Sequence, residues 1–223
     1  MNKKEKVLAI REIFNELYPE AGCSLDYTNP LHLLIATQLA AQCTDARVNL
    51  VTPALFARYP TARDFANADI LELQEYIRST GFFRNKSKNI IACCQMLDEK
   101  FGGKVPDTME ELTSLPGVGR KTANIIIGDI YHKPAIVVDT HAKRITNRLG
   151  LTVNTDPTKI EFDLLKIVPP DYSATFCHQL VYHGRALCKA QRPACNECPV
   201  AHLCDAFTKP ALLTRYQGKK KEA

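Results

Sequence analysis

LPGVGRKTAN, residues 115 to 124, breaks a helical pattern and decides how the rest of the chain is read. Pro116-Gly117-Val118-Gly119 is a very short turn, and its glycines permit positive φ and close backbone approach to another surface. Before it, Pro106-Asp107 opens a short helix toward Leu112; after it, Arg120 to Asp129 resumes helical spacing. The amides of Val118, Gly119 and Arg120 would point outward at the start of the second helix. Backbone donors and the positive end of a helix together make a phosphate site, and Arg120 and Lys121 add charge there. A lone Gly-x-Gly would favour a corner used only for packing, but the whole run is far more specific.

Helical signals dominate in both directions. Val7, Ile10, Phe14 and Leu17 recur at helical spacing, ended by Pro19 and Gly22. Pro30 precedes Leu31, Leu34, Ile35 and Leu39, a first-turn position that suits proline. Thr44 and Asp45 read as caps for a helix through Val51 and Leu55. Asp69 to Ser79 and Arg84 to Phe101 read as two helices separated by Gly81. Beyond the hairpin, Ala135 to Val138 is the best strand candidate. Asp139 or Thr140 then caps a helix through Leu149, with two more at Pro157 to Val168 and Ser173 to Cys188. Strands and helices do not alternate, so a doubly wound sheet is excluded. The expected fold is all-α with a domain crossing near His132 to Pro134.

Lys121 has two readings from the residues alone: a further cation on phosphate, or an amine nucleophile that forms a Schiff base with a sugar aldehyde carbon. Arg120, the helix N-terminus and partial burial would each favour the neutral amine. Asp139 reads as a helix N-cap.

Cys188, Cys195, Cys198 and Cys204 follow the spacing C-x6-C-x2-C-x5-C. Four thiolates in so short a stretch close one site, and both zinc and an iron–sulfur cluster take four cysteines. Lys189 and Arg192 lie between the first two and would be held toward phosphates. The other five of the nine cysteines are scattered. An odd total argues against a purely paired disulfide framework, and the first residues read as an amphipathic segment with no secretory signal. A reducing, cytoplasmic compartment is expected.

The 223 residues are 45% hydrophobic and 24% charged, an ordinary globular balance that excludes disorder and collagen-like repetition. No apolar stretch is long enough to span a bilayer. Net charge is +5, and the residues from Gly184 onward, with eight basic and three acidic side chains, carry all of it. That concentration suits a polyanion partner, although Lys219 to Lys221 alone read as a solvated tail.

LPGVGRKTAN, VDTHAKR at 138 to 144 and the cysteine spacing together resemble the endonuclease III family, the bifunctional glycosylase/AP lyases of the helix–hairpin–helix DNA glycosylase superfamily. The resemblance runs over essentially the whole chain. It implies two lobes: a six-helix bundle over residues 22–133 carrying the hairpin, and a discontinuous lobe of 1–21 and 134–223 carrying a 4Fe-4S cluster on the four cysteines. Bent DNA would lie in the cleft between them.

In the family the lysine at the position of Lys121 attacks C1′ of the damaged nucleotide, the aspartate at Asp139 assists base departure, and β-elimination then cuts the strand 3′ to the site. The adenine-specific mismatch relatives lack that lysine, so Lys121 implies lyase activity as well as glycosylase activity. Gln42 in AAQCTD matches a glutamine inserted beside the flipped nucleotide. The family commonly has Gly-Leu where this chain has Gly81-Phe82-Phe83, which makes Phe82 the wedge candidate, with a core place under the loop as the alternative for Phe82 and Phe83, and leaves opposite-strand preference open. Arg84, Lys86 and Lys88 read as backbone contacts or a solvated face. Implied substrates are oxidised pyrimidines and abasic sites in double-stranded DNA, processed by a monomer. Two rivals stand beside this: a mismatch thymine or uracil glycosylase, and a noncatalytic helix–hairpin–helix DNA-binding module with a zinc cap.

Overall fold

The computed structural model describes residues 1–209. Arg215 and Lys219 to Lys221 lie outside them. Among the described residues there are twelve α-helices and no β-strand, and no helix is long and apolar enough to cross a membrane. The chain divides into two compact units, one of Cys23–His132 and one of Met1–Gly22 with the segment from Lys133 onward.

The Cys23–His132 unit holds α2 (Pro30–Leu39), α3 (Asp45–Arg58), α4 (Ala62–Ala66), α5 (Ile70–Ile77), α6 (Phe83–Phe101), α7 (Met109–Ser114) and α8 (Arg120–Ile125). Most begin on a capping side chain: Asn29, Thr44, Thr61, Asp69 and Thr108 each accept a first-turn N–H. Helix α4 was missed in the sequence, although Thr61 and Asp64 form a capping box. Helix α2 is buried from Leu33 to Leu39, so it is the central helix of this unit. Leu55, Phe65, Leu73, Ile77, Ile90 and Leu97 are also fully buried there. Helix α6 packs on α4 and α5.

The other unit is built on α1 (Lys3–Leu17), α9 (Thr140–Arg148), α10 (Pro157–Leu165), α11 (Ser173–Ala186) and the short α12 (Asp205–Thr208). Val7, Ile10 and Phe14 of α1 share one core with Ile136, Ile145, Leu149, Ile160, Leu164, Phe176 and Leu180. The N-terminal helix is thereby integrated with elements far along the sequence. Lys6 of α1 also binds Asp205 at 2.7 Å and the Leu149 carbonyl at 2.8 Å.

Ala135 to Val138 does not form a strand, which corrects the sequence expectation. Its backbone has side-chain partners instead of a second strand. The Ala135 N–H donates to Ser173 Oγ at 3.0 Å, and the Val137 N–H donates to Cys177 Sγ at 3.2 Å. The apolar run exists because Ala135 and Ile136 are buried.

Candidate functional site

The hairpin is a tight corner between α7 and α8. Gly117 has φ +76°, and a Cβ there would stand 2.7 Å from Gln38 Oε1 and 2.9 Å from Asn89 Cβ. Only glycine fits both the backbone and the space. Gly119 meets nothing within 4 Å and, having no side chain, caps α8 without a side-chain bond. Val118 departs from expectation. Its side chain is buried, and its N–H donates to the Leu115 carbonyl at 3.1 Å, inside the turn. The corner therefore holds itself closed with Val118 and presents Gly117 and Gly119 at the surface. Lys121 sits in the first turn of α8 and is exposed, so the partial burial expected for it is absent in the free protein.

Asp139 occupies the N-cap of α9, where its Oδ1 accepts the Ala142 N–H at 2.7 Å. The cap bond fixes the carboxylate at the start of α9. His141, two residues on, accepts from Arg144 Nη2 at 3.1 Å if its Nδ1 is the bare nitrogen, and burial pushes its pKa down. Gly184 makes room for this pair, since a Cβ there would stand 2.2 Å from His141 Nδ1.

Cys188, Cys195, Cys198 and Cys204 line one cavity of about 420 Å³, together with Arg148, His183 and Arg192. Among the described residues no three of His, Cys, Asp and Glu converge on a single ion. Four cysteine thiols on one cavity are the donor set that an iron–sulfur cluster takes. Burial pushes the Cys198 thiol up to about 11 and also raises Cys204, so thiolates there need compensating positive charge.

Arg148 brings positive charge to the first of the four sulfurs. It is buried, donating to Cys188 Sγ at 3.3 Å and to the carbonyls of Lys189 and Ala190 at 2.8 and 3.0 Å. Arg144 adds a donor to the Cys188 carbonyl at 2.9 Å. His183, held down to about 4 by burial, places Nε2 3.6 Å from Cys198 Sγ. Arg148 and Arg144 were missed in the sequence, where they look like ordinary charges on a polar helix.

Lys189 and Arg192 are exposed in the loop between the first two cysteines. Four non-glycine residues among those described have positive φ: Gln42 (55°), Phe82 (47°), His132 (51°) and Arg192 (50°). Three of them were singled out above for DNA contact. Such backbone costs about 1–3 kcal/mol per residue and persists only where the surroundings impose it. Gln42 is exposed and Phe82 is 63% exposed, so Phe82 is not a core residue. Lys86, by contrast, is only 6% exposed and is not part of a solvated face.

Residues 35–170 match the HhH-GPD superfamily of base excision DNA repair proteins, and residues 188–204 match the iron-sulfur binding domain of endonuclease III. Endonuclease III of Synechocystis sp. is 54% identical over 91% of this chain and 93% of its own length. Endonuclease III of Bacillus subtilis is 44% identical over 92% and 93%. A solved structure described as a trapped endonuclease III–DNA covalent intermediate, an estranged-adenine complex, is 42% identical. It covers 95% of this chain and all of its own, with a TM-score of 0.86.

Proposed function

We propose that this chain, which belongs to the endonuclease III family of the HhH-GPD superfamily of base excision DNA repair proteins, uses Lys121 as nucleophile and Asp139 as the carboxylate that assists base departure. The chain is a base excision repair DNA glycosylase and AP lyase with a 4Fe-4S cluster. The observation that carries the residue assignment is the exposed Lys121 in the first helical turn after a corner whose Gly117 no other residue can replace.

Lys121 Nζ attacks C1′ as the base leaves with the bonding electrons and gains a proton. Asp139 stabilises positive charge on the sugar and helps take the proton from the amine. Its Oδ1 is engaged by Ala142, and we assign the chemistry to Oδ2. The C1′–O4′ bond then breaks as O4′ gains a proton and the sugar ring opens, leaving a C1′=N imine that acidifies the C2′ hydrogens. Loss of one of them expels the 3′ phosphate, and the strand is cut. The target base must leave the stack before C1′ is reached, and Gln42 and Phe82 insert into the duplex to hold it out. Gly117, Gly119 and Arg120 in the hairpin, which Val118 holds closed, and Lys189 and Arg192 in the cysteine loop, position the phosphate backbone. The four cysteines hold the cluster, which supplies a rigid framework for that loop and no electron for glycosidic cleavage.

The substrates are oxidised pyrimidines and abasic sites in double-stranded DNA, processed by a monomer in the cytoplasm. Membership in a glycosylase family disfavours the noncatalytic zinc-capped module. A cleavage panel over oxidised pyrimidines, thymine and uracil mismatches and abasic sites tests the substrate assignment. Preferential release of oxidised pyrimidines is expected; release of mismatched thymine alone would overturn it.

A further inference from the structure

Lys86 is a buried cation whose place in the reaction no catalytic step accounts for. Its Nζ donates to the Leu39 carbonyl at 2.7 Å and to the Thr80 carbonyl at 2.8 Å. Leu39 is the last residue of α2, three before Gln42; Thr80 lies two before Phe82. The backbone N–H of Lys86 also donates to the Phe82 carbonyl at 3.0 Å. Gln42 and Phe82 are the two exposed residues of this unit, besides His132, held at positive φ without being glycine. Phe82 caps α6 with no side-chain hydrogen bond.

We propose that Lys86 is a positioning residue that ties the Gln42 and Phe82 segments together and holds both strained tips ready to enter the duplex. The inference rests on the assignment of Gln42 and Phe82 as the inserting residues. A helix C-terminus leaves carbonyls without partners and attracts positive charge, so the ammonium suits the Leu39 end of α2. Burying a charge is costly, and burial does lower the Lys86 pKa. An apolar side chain would fill the space without that cost, but it would leave two carbonyls unbound and the two segments free to drift apart.

The test uses full-length, cluster-loaded protein and a duplex with 2-aminopurine opposite a stable abasic-site analogue. Insertion unstacks the probe and raises its fluorescence. The wild type is compared at saturation with Lys86→Met, Lys86→Arg, Gln42→Ala and Phe82→Ala. Lys86→Met should reduce the increase about threefold, because two charge-assisted hydrogen bonds are lost. Lys86→Arg should restore most of it. A packing role predicts the opposite order, since methionine matches the shape of lysine better than arginine does.

A full signal in Lys86→Met, with loss in Gln42→Ala and Phe82→Ala, overturns the clamp alone. A full signal in both of those alanine variants overturns the insertion assignment and the clamp with it. If Lys86→Met does not fold, Lys86→Gln takes its place, because its single amide reaches one carbonyl.

Discussion

The Arg148 guanidinium donates to Cys188 Sγ at 3.3 Å while also holding the carbonyls of Lys189 and Ala190. One buried side chain thus binds a proposed cluster ligand and the loop that follows it. Arg148→Met should leave those carbonyls unsatisfied and cost about 2 kcal/mol. Iron–sulfur absorbance should decay faster than wild type in the presence of a chelator. Unchanged chelator resistance would show that Arg148 does not support the cluster.

Asp139 has two jobs that a single substitution separates. Asparagine caps helices about as well as aspartate, so Asp139→Asn should keep the melting temperature within about 2 °C. It cannot carry the negative charge, so base excision should fall by about 100- to 10,000-fold. Near-normal excision with a lowered melting temperature would make Asp139 a cap and nothing more.

The two hairpin glycines should behave differently. Gly117→Ala forces a Cβ against Gln38 and Asn89 at positive φ and should destabilise by about 2 kcal/mol. Gly119→Ala meets open space and should cost less than about 1 kcal/mol. Because that open space faces the proposed phosphate, Gly119→Ala should still weaken DNA binding. Equal melting temperatures for the two variants would contradict the steric account.

Lys189 and Arg192 are exposed in the cysteine loop. If each neutralises one phosphate, either alanine variant should reduce the slope of log K against log salt by about 0.9. An unchanged slope in both would remove the loop from the DNA interface.

The parts of this protein legible in the sequence are those whose chemistry is local. The glycine corner is legible because Gly117 must adopt positive φ, and the cysteine spacing is legible because its ligands lie close in the chain. Asp139 as a cap follows from its position before an amphipathic run. Other features depend on partners far along the chain. Ala135 to Val138 looks like a strand until Ser173 and Cys177 supply its hydrogen bonds. Lys86 looks like its solvated neighbours Arg84 and Lys88 until the Leu39 and Thr80 carbonyls are found beside it. The positive φ of Gln42, Phe82 and Arg192 is equally invisible, since none is a residue that favours it.

The most direct test of the central claim is borohydride trapping on abasic-site DNA, followed by mapping of the adduct by mass spectrometry. The account predicts a covalent adduct on Lys121 in the wild type and none in Lys121→Ala protein that keeps its helix content and cluster absorbance. An adduct of equal yield in Lys121→Ala, or one mapped to a different amine in the wild type, would contradict it.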